Sequence, residues 1–331
     1  MPYAHIIGTG SSIPERVLTN EDLEKIVDTS DEWITRRTGI KERRIAQIDK
    51  DESTADLGTR AARSAMELSD ISPDQIDSII VATVTADHLF PSAACMIQKK
   101  LQANSAAAYD LSAGCSGFIY ALETASNSIK TGTAKTVLVL GTERLSSVVN
   151  WKDRGTCVLL GDGAGAVILQ QADEKGGILS THTRSDGRYW DLLYSQDGND
   201  FLPQMLKDTA TKPYILKMEG NRLFKQAVGS MTAIAEQALE QNGLSCNDIQ
   251  MVIPHQANLR IIQAVAEKLK LPMEKFFTNL QKYGNTSSAS IPIALDEAYR
   301  SGLLTYGDHI LLVSFGAGLT WGASILHWSR K

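Results

Sequence analysis

Cys115, His255 and Asn285 each stand where an apolar run gives way to a helical pattern. Cys115 lies in Ser112-Ala-Gly-Cys-Ser-Gly117, after the run 106–111 and before Phe118, Leu122, Ala125 and Ile129 at helical spacing. A thiol so placed faces unpaired N–H groups and the positive end of a helix dipole, and both favour a thiolate. The flanking glycines admit backbone and substrate without a Cβ clash. Spacing alone still ranks a buried structural cysteine first, because free cysteine is among the most buried residue types. His255 closes the apolar run 251–254, and Asn285 sits in Tyr283-Gly-Asn-Thr-Ser-Ser288. Taken singly, His255 reads as a hydrogen-bonded core histidine and Asn285 as a capping or turn residue. Taken together, a thiol, an imidazole and an amide on three such turns point to nucleophilic catalysis through cysteine.

The elements that must position them alternate along the chain. Strand-like runs fall at 6–8, 78–84, 106–111, 136–140, 164–169, 177–180, 251–254, 309–314 and 321–327. Helical periodicity falls at 53–69, 92–102, 116–131, 220–242, 258–269 and 288–301. This alternation predicts α/β layering with strands buried on both faces. Segment 68–81 resembles 243–253 in layout, and 161–169 resembles 318–326 in the same order. A duplicated α/β unit is expected, with halves 1–173 and 174–331 joined near Gln171-Ala-Asp-Glu-Lys-Gly-Gly177. Cys115 then belongs to one half, His255 and Asn285 to the other, and the site forms between them. Gly161-Asp-Gly-Ala-Gly165 lacks the G-x-G-x-x-G spacing of a nucleotide-binding turn and reads as tight backbone packing.

With 331 residues, 43% of them hydrophobic and 21% charged, the chain can bury a large core in two domains or pseudo-equivalent halves. A formal net charge of −5 and the lack of a basic run argue against a nucleic-acid partner. No apolar run approaches the roughly 18 residues that span a bilayer, and the start lacks the pattern of a secretory signal. A soluble cytoplasmic protein without a membrane partner is expected. Cys95, Cys115, Cys157 and Cys246 show no C-x-x-C spacing and no Cys/His cluster, so no metal is expected and the cysteines read as reduced.

Further motifs run in order along nearly the whole chain. They are Ser30-Asp-Glu-Trp-Ile-Thr-Arg-Arg-Thr-Gly-Ile40, Phe90-Pro-Ser-Ala-Ala-Cys95, Arg154-Gly-Thr, Pro254-His-Gln-Ala-Asn-Leu-Arg260 and Phe315-Gly-Ala-Gly-Leu-Thr-Trp-Gly322. With the three segments above, the set resembles the β-ketoacyl-[acyl-carrier-protein] synthase III family, initiating condensing enzymes of the thiolase superfamily. The resemblance implies a five-layered α/β/α/β/α fold of two duplicated halves and a homodimer. It implies that Cys115 accepts a primer acyl group from acyl-CoA, while His255 and Asn285 assist decarboxylation of malonyl-[acyl-carrier protein]. Backbone N–H groups of Cys115 and Ala317 would form the oxyanion hole. Coenzyme A, a substrate with no permanently bound cofactor beside it, would touch Trp33, Arg37, Thr38, Arg154, Gly220, Phe224, Ala257 and Asn258. Trp33 and Arg154 would sandwich the adenine; as bland alternatives, Trp33 anchors a loop and Arg37 is a solvated charge. Phe90 from the partner subunit, Leu145, Leu160 and Met218 would bound the acyl pocket. Gln256, Arg260 and Lys225 would meet the acidic carrier protein, among further bases at Lys217, Arg222, Lys268 and Lys270.

Rival readings differ in chemistry. A thiolase needs a second cysteine near the C-terminus as base, and Phe315–Gly322 holds none. Elongating condensing enzymes use two histidines, and Asn285 stands in the second place. A condensing enzyme of secondary metabolism shares the Cys-His-Asn set and stays open, as do a cysteine hydrolase and a binding module.

Overall fold

Two sheets carry the main strands of the computed structural model, which describes residues 2–195 and 216–330. The first contains β1 (Tyr3–Ser12), β2 (Ser78–Ala82), β3 (Ala107–Leu111), β4 (Thr136–Arg144) and β5 (Asp162–Ala172), in the order β1-β5-β4-β2-β3. The second contains β6 (Gly177–Ser185), β7 (Met251–Pro254), β8 (His309–Gly316) and β9 (Thr320–His327), in the order β6-β9-β8-β7. In both sheets the first two pairings are antiparallel and the third is parallel. The counterpart of β3 is reduced to a bridge between Val252 and Phe276. One order used twice is the mark of a duplicated unit.

Strand alternation sorts the side chains into layers. Ile79, Val81, Leu138 and Leu140 face outward onto α1 (Thr54–Ser69) and α2 (Ala93–Leu101). Ile80, Val137 and Val139 face inward onto α3 (Gly117–Lys130). On the second sheet Leu311, Val313 and Ile325 meet α4 (Gly220–Gln241) and α5 (Leu259–Leu269). Ile310, Leu312 and Leu326 point back to α3 and α6 (Ser290–Arg300). The result is five layers, with α3 and α6 buried between the sheets. Both central helices carry the turns of interest at their N-terminal ends, so the site lies at the seam between halves.

Several strands outrun their sequence signal. The run Gly8-Thr9-Gly10-Ser11-Ser12 extends β1 although it lacks β-branched apolar residues, because pairing with β5 continues to Ser12. The helix Asp31–Thr38 carries no strong apolar period and goes unpredicted above. Its caps mark it: the Ser30 hydroxyl accepts from the Trp33 N–H, and Gly39 closes it at φ 80°.

Candidate active site

β3 runs into a 3₁₀ turn, Gly114–Ser116, that opens α3 and carries Cys115. β8 approaches from the other half so closely that a Cβ on Gly316 would stand 2.5 Å from the Cys115 nitrogen. Two hydrogen bonds stitch the halves here, Thr320 Oγ1 to the Ala113 carbonyl at 2.7 Å and Ser116 Oγ to the Thr320 carbonyl at 3.0 Å. Ala317 follows Gly316 on the same wall of the cavity as Cys115. Its φ is not positive, unlike that of Gly318 at 132°, so alanine keeps a backbone donor here without strain.

His255 follows β7 and is buried. Its Nδ1 lies 2.7 Å from the Ser290 hydroxyl, which accepts a hydrogen bond from the Gln256 N–H. The hydroxyl hydrogen is therefore free to donate to Nδ1, which leaves the proton of a neutral ring on Nε2. Burial pulls the imidazole down to about 4, so the ring is neutral at pH 7. Asn285 is held by main chain on both sides: its N–H donates to the Leu159 carbonyl at 2.8 Å, and its carbonyl accepts from the Gly161 N–H at 3.0 Å. Its side-chain Oδ1 accepts from the Ser287 N–H at 2.8 Å, which turns Nδ2 away as a donor. Two uncharged N–H donors thus face the cavity. Ser290 is a supporting residue that sequence reading missed, since one serine among several before a helix carries no distinguishing signal.

The expected resting thiolate is corrected. Burial pushes the Cys115 thiol up from 9.0 to about 11, although the Ser287 hydroxyl acts in the opposite direction. A helix terminus contributes up to about 2 kcal/mol. Burial is nonetheless the largest influence on this sulfur and raises its pKa, which favours the thiol form at neutral pH.

Cys115, His255 and Asn285 open onto one cavity of about 450 Å³. Leu145, Leu160, Met218, Gly220, Phe224, Ala257 and Asn258 also line it, together with Leu193, Leu216 and Met231. Asn258 additionally caps α5, its side chain accepting from the Arg260 N–H. Phe90 is absent from this lining and is 82% exposed. A second cleft of about 220 Å³ is lined by Trp33, Arg36, Arg37 and Arg260. The Arg154 guanidinium lies directly over Trp33, 4.9 Å from the ring centre. A ring between them needs about 7 Å, two contacts of about 3.5 Å, so the adenine sandwich requires Arg154 to swing aside.

Two assignments do not survive the packing. Thr38 is buried, its hydroxyl donating to the Ile34 carbonyl and accepting from the Ile40 N–H, so it finishes a helix rather than facing a ligand. Gln256 is 1% exposed and spends its amide on the Pro254 and Phe277 carbonyls and the Asn279 N–H. It is an internal clamp and cannot meet a carrier protein. Arg260 and Lys225 remain exposed. Lys217, Lys268 and Lys270 are exposed too, while Arg222 pairs with Glu219 at 3.1 Å. The glycine run 161–165 packs as expected, a Cβ on Gly165 falling 2.6 Å from the Ile293 nitrogen. Among the described residues no cluster of His, Cys, Asp or Glu could hold a metal ion. No described helix is long and apolar enough to cross a membrane.

Five layers from two like halves, with a Cys-His-Asn cavity at their seam, define a thiolase-fold condensing enzyme. Comparison with known proteins narrows the class. The family model described as 3-oxoacyl-[acyl-carrier-protein] synthase III matches residues 109–187, and the model of its C-terminal part matches 239–328. The β-ketoacyl-[acyl-carrier-protein] synthase III of Caldanaerobacter subterraneus subsp. tengcongensis is 52% identical, over 99% of this chain and 98% of its own. The crystal structure of 3-oxoacyl-[acyl-carrier-protein] synthase III from Aquifex aeolicus superposes with a TM-score of 0.90 at 50% identity, covering 98% of this chain and 99% of that one. The priming β-ketosynthase of the R1128 polyketide biosynthetic pathway also reaches a TM-score of 0.90, at 34% identity over 99% of this chain and 96% of its own. The chain belongs to the β-ketoacyl-[acyl-carrier-protein] synthase III family.

Proposed function

We propose that the protein moves a primer acyl group from acyl-CoA onto Cys115 and condenses it with malonyl-[acyl-carrier protein]. The products are coenzyme A, carbon dioxide and 3-ketoacyl-[acyl-carrier protein], the opening step of fatty acid synthesis. The observation that carries this reading is the single cavity shared by a thiol and two neutral N–H donors.

In the first half-reaction the Cys115 sulfur attacks the thioester carbonyl, and its proton passes to the departing coenzyme A thiolate. In the second, loss of carbon dioxide leaves its electron pair on the malonyl carbon, and charge builds on the thioester oxygen. His255 Nε2–H and Asn285 Nδ2–H stabilise that oxygen without any strong base. The enolate carbon then attacks the acyl-Cys115 carbonyl, whose oxyanion takes the N–H groups of Cys115 and Ala317. Collapse of that adduct returns the sulfur, which takes up a proton.

Trp33, Arg37 and Arg154 are proposed to bind the coenzyme A head group, with Gly220, Phe224, Ala257 and Asn258 along the pantetheine arm. Arg260 and Lys225 are the proposed carrier-protein contacts. A cytoplasmic homodimer is proposed, with halves 1–173 and 174–331 in each subunit. The exposed apolar pair Leu89 and Phe90 supports the dimer. No resident cofactor is called for. The likeness to a polyketide priming synthase keeps a specialised pathway as the second reading.

Acetyl-CoA should add one acyl mass to the Cys115 peptide, and Cys115→Ala should abolish the transfer. His255→Ala or Asn285→Ala should slow malonyl-[acyl-carrier protein] decarboxylation by about 10²–10³-fold, the effect of losing one oxyanion donor. An Asn285→Ala enzyme that decarboxylates at the normal rate would remove that residue from the mechanism. Rapid release of free acid from acyl-CoA alone would mark a hydrolase instead.

A further inference from the structure

Glu143 lies one residue before the end of the buried strand β4, with 0% exposure, beside the turn that follows Asn285. Its Oε2 is crowded with donors, Thr83 Oγ1 at 3.2 Å, the Val84 N–H at 3.1 Å and Thr85 Oγ1 at 2.6 Å. Both threonine hydroxyls accept a main-chain N–H, Thr83 from Thr85 and Thr85 from Arg144, so their own hydrogens point to the carboxyl. Oε1 is different. Its neighbour is Ser288 Oγ at 2.8 Å, and that hydroxyl also lies 2.8 Å from the Ala82 carbonyl. One hydroxyl hydrogen cannot serve both oxygens. If it goes to Ala82, a carboxylate would leave two oxygens facing each other at 2.8 Å with no hydrogen between them. If it goes to Glu143, the Ala82 contact is empty.

We propose that Glu143 is a neutral carboxylic acid whose proton, donated from Oε1 to Ser288 Oγ, locks β4 to the turn holding Asn285 and keeps the cavity floor uncharged. The contacts with Ser288 and Ala82 are then both satisfied, Oε1–H to Ser288 and Ser288 to Ala82, with three donors into Oε2 and the Ser287 hydroxyl also against the carboxyl. Among the described residues no cation pairs with Glu143, and a buried carboxylate without one is costly. Burial accordingly pushes this acid up. The Ser287 hydroxyl interacts with both Glu143 and Cys115, and Cys115 is the titratable group that feels a charge there. Ionised Glu143 would push the thiol further up and oppose both the thiolate and the enolate. Glu143 touches no reacting atom; it is a positioning residue acting through Ser287 and Ser288.

Infrared difference spectra of wild type against Glu143→Gln test the protonation, and kinetics test the consequence. The carbonyl stretch of an un-ionised carboxyl should be present in wild type at neutral pH and missing from Glu143→Gln. Glu143→Ala should lower decarboxylation by about a hundredfold, the scale of a misplaced catalytic group. Glu143→Gln, whose amide N–H can take the place of the acid O–H toward Ser288, should restore most of that loss. No such band, or a folded Glu143→Gln as slow as Glu143→Ala, would overturn the proposal and make Glu143 an anion. The link to turnover rests on the condensing activity proposed above, whereas the band does not. A wild-type protein that shows the band but never loads an acyl group would therefore fail the functional reading alone.

Discussion

Cys115 sets two opposing effects on one sulfur, a helix N-terminus that favours the anion and burial that disfavours it. Desolvation is the larger, so the nucleophile is stored as a thiol and its proton must leave when substrate arrives. A group with its pKa raised to about 11 is protonated throughout the neutral range, and its thiolate fraction grows about tenfold per pH unit below that value. Iodoacetamide labelling of the Cys115 peptide should therefore climb from pH 7 to pH 10 without levelling. A plateau by pH 8 would show an activated thiolate in the free enzyme. At this scale the sequence was informative about the three side chains proposed to react, because each lies in a turn with its own glycine or strand-end context. It was silent on Ser290 and Glu143. A serine among serines and a glutamate after an apolar strand show their roles only once burial removes water as a partner.

β4 and the turn Ser287–Ala289 meet so tightly that a Cβ on Gly141 would fall 2.3 Å from the Ser288 carbonyl oxygen. Gly141→Ala must displace that turn, and Asn285 with it. Overpacking of this kind costs about 1–3 kcal/mol in stability. Decarboxylation should fall by about a hundredfold in Gly141→Ala, while acyl loading of Cys115 falls less. Wild-type kinetics in that variant would show the turn to be slack, and the positioning argument would go with it. Most strands and helices were readable from period and composition. The helix Asp31–Thr38 was not, since only Ile34 and Thr38 are buried and its identity rests on the Ser30 and Gly39 caps.

For the whole molecule, Phe90 is the residue that tests the proposed dimer. It is 82% exposed and does not line its own cavity, so in the proposed dimer its effect on primer choice would act across subunits. Phe90→Ala should shift the ratio of kcat/KM toward longer acyl-CoA primers by about 10–200-fold, the range for small changes in an apolar pocket. An unchanged preference in competition assays would place Phe90 outside the pocket and weaken the case for a dimer-built site.

By itself the sequence determined the alternating elements, the duplicated plan and the three candidate side chains that share the cavity. Those are local matters: period, capping and the company a residue keeps within a few positions. Tertiary structure decided the charge states, a thiol at Cys115 and a neutral ring at His255, because desolvation depends on atoms brought in from distant segments. It also withdrew Gln256 and Thr38 from ligand contact, since only packing reveals whether a polar side chain has already spent its hydrogen bonds indoors.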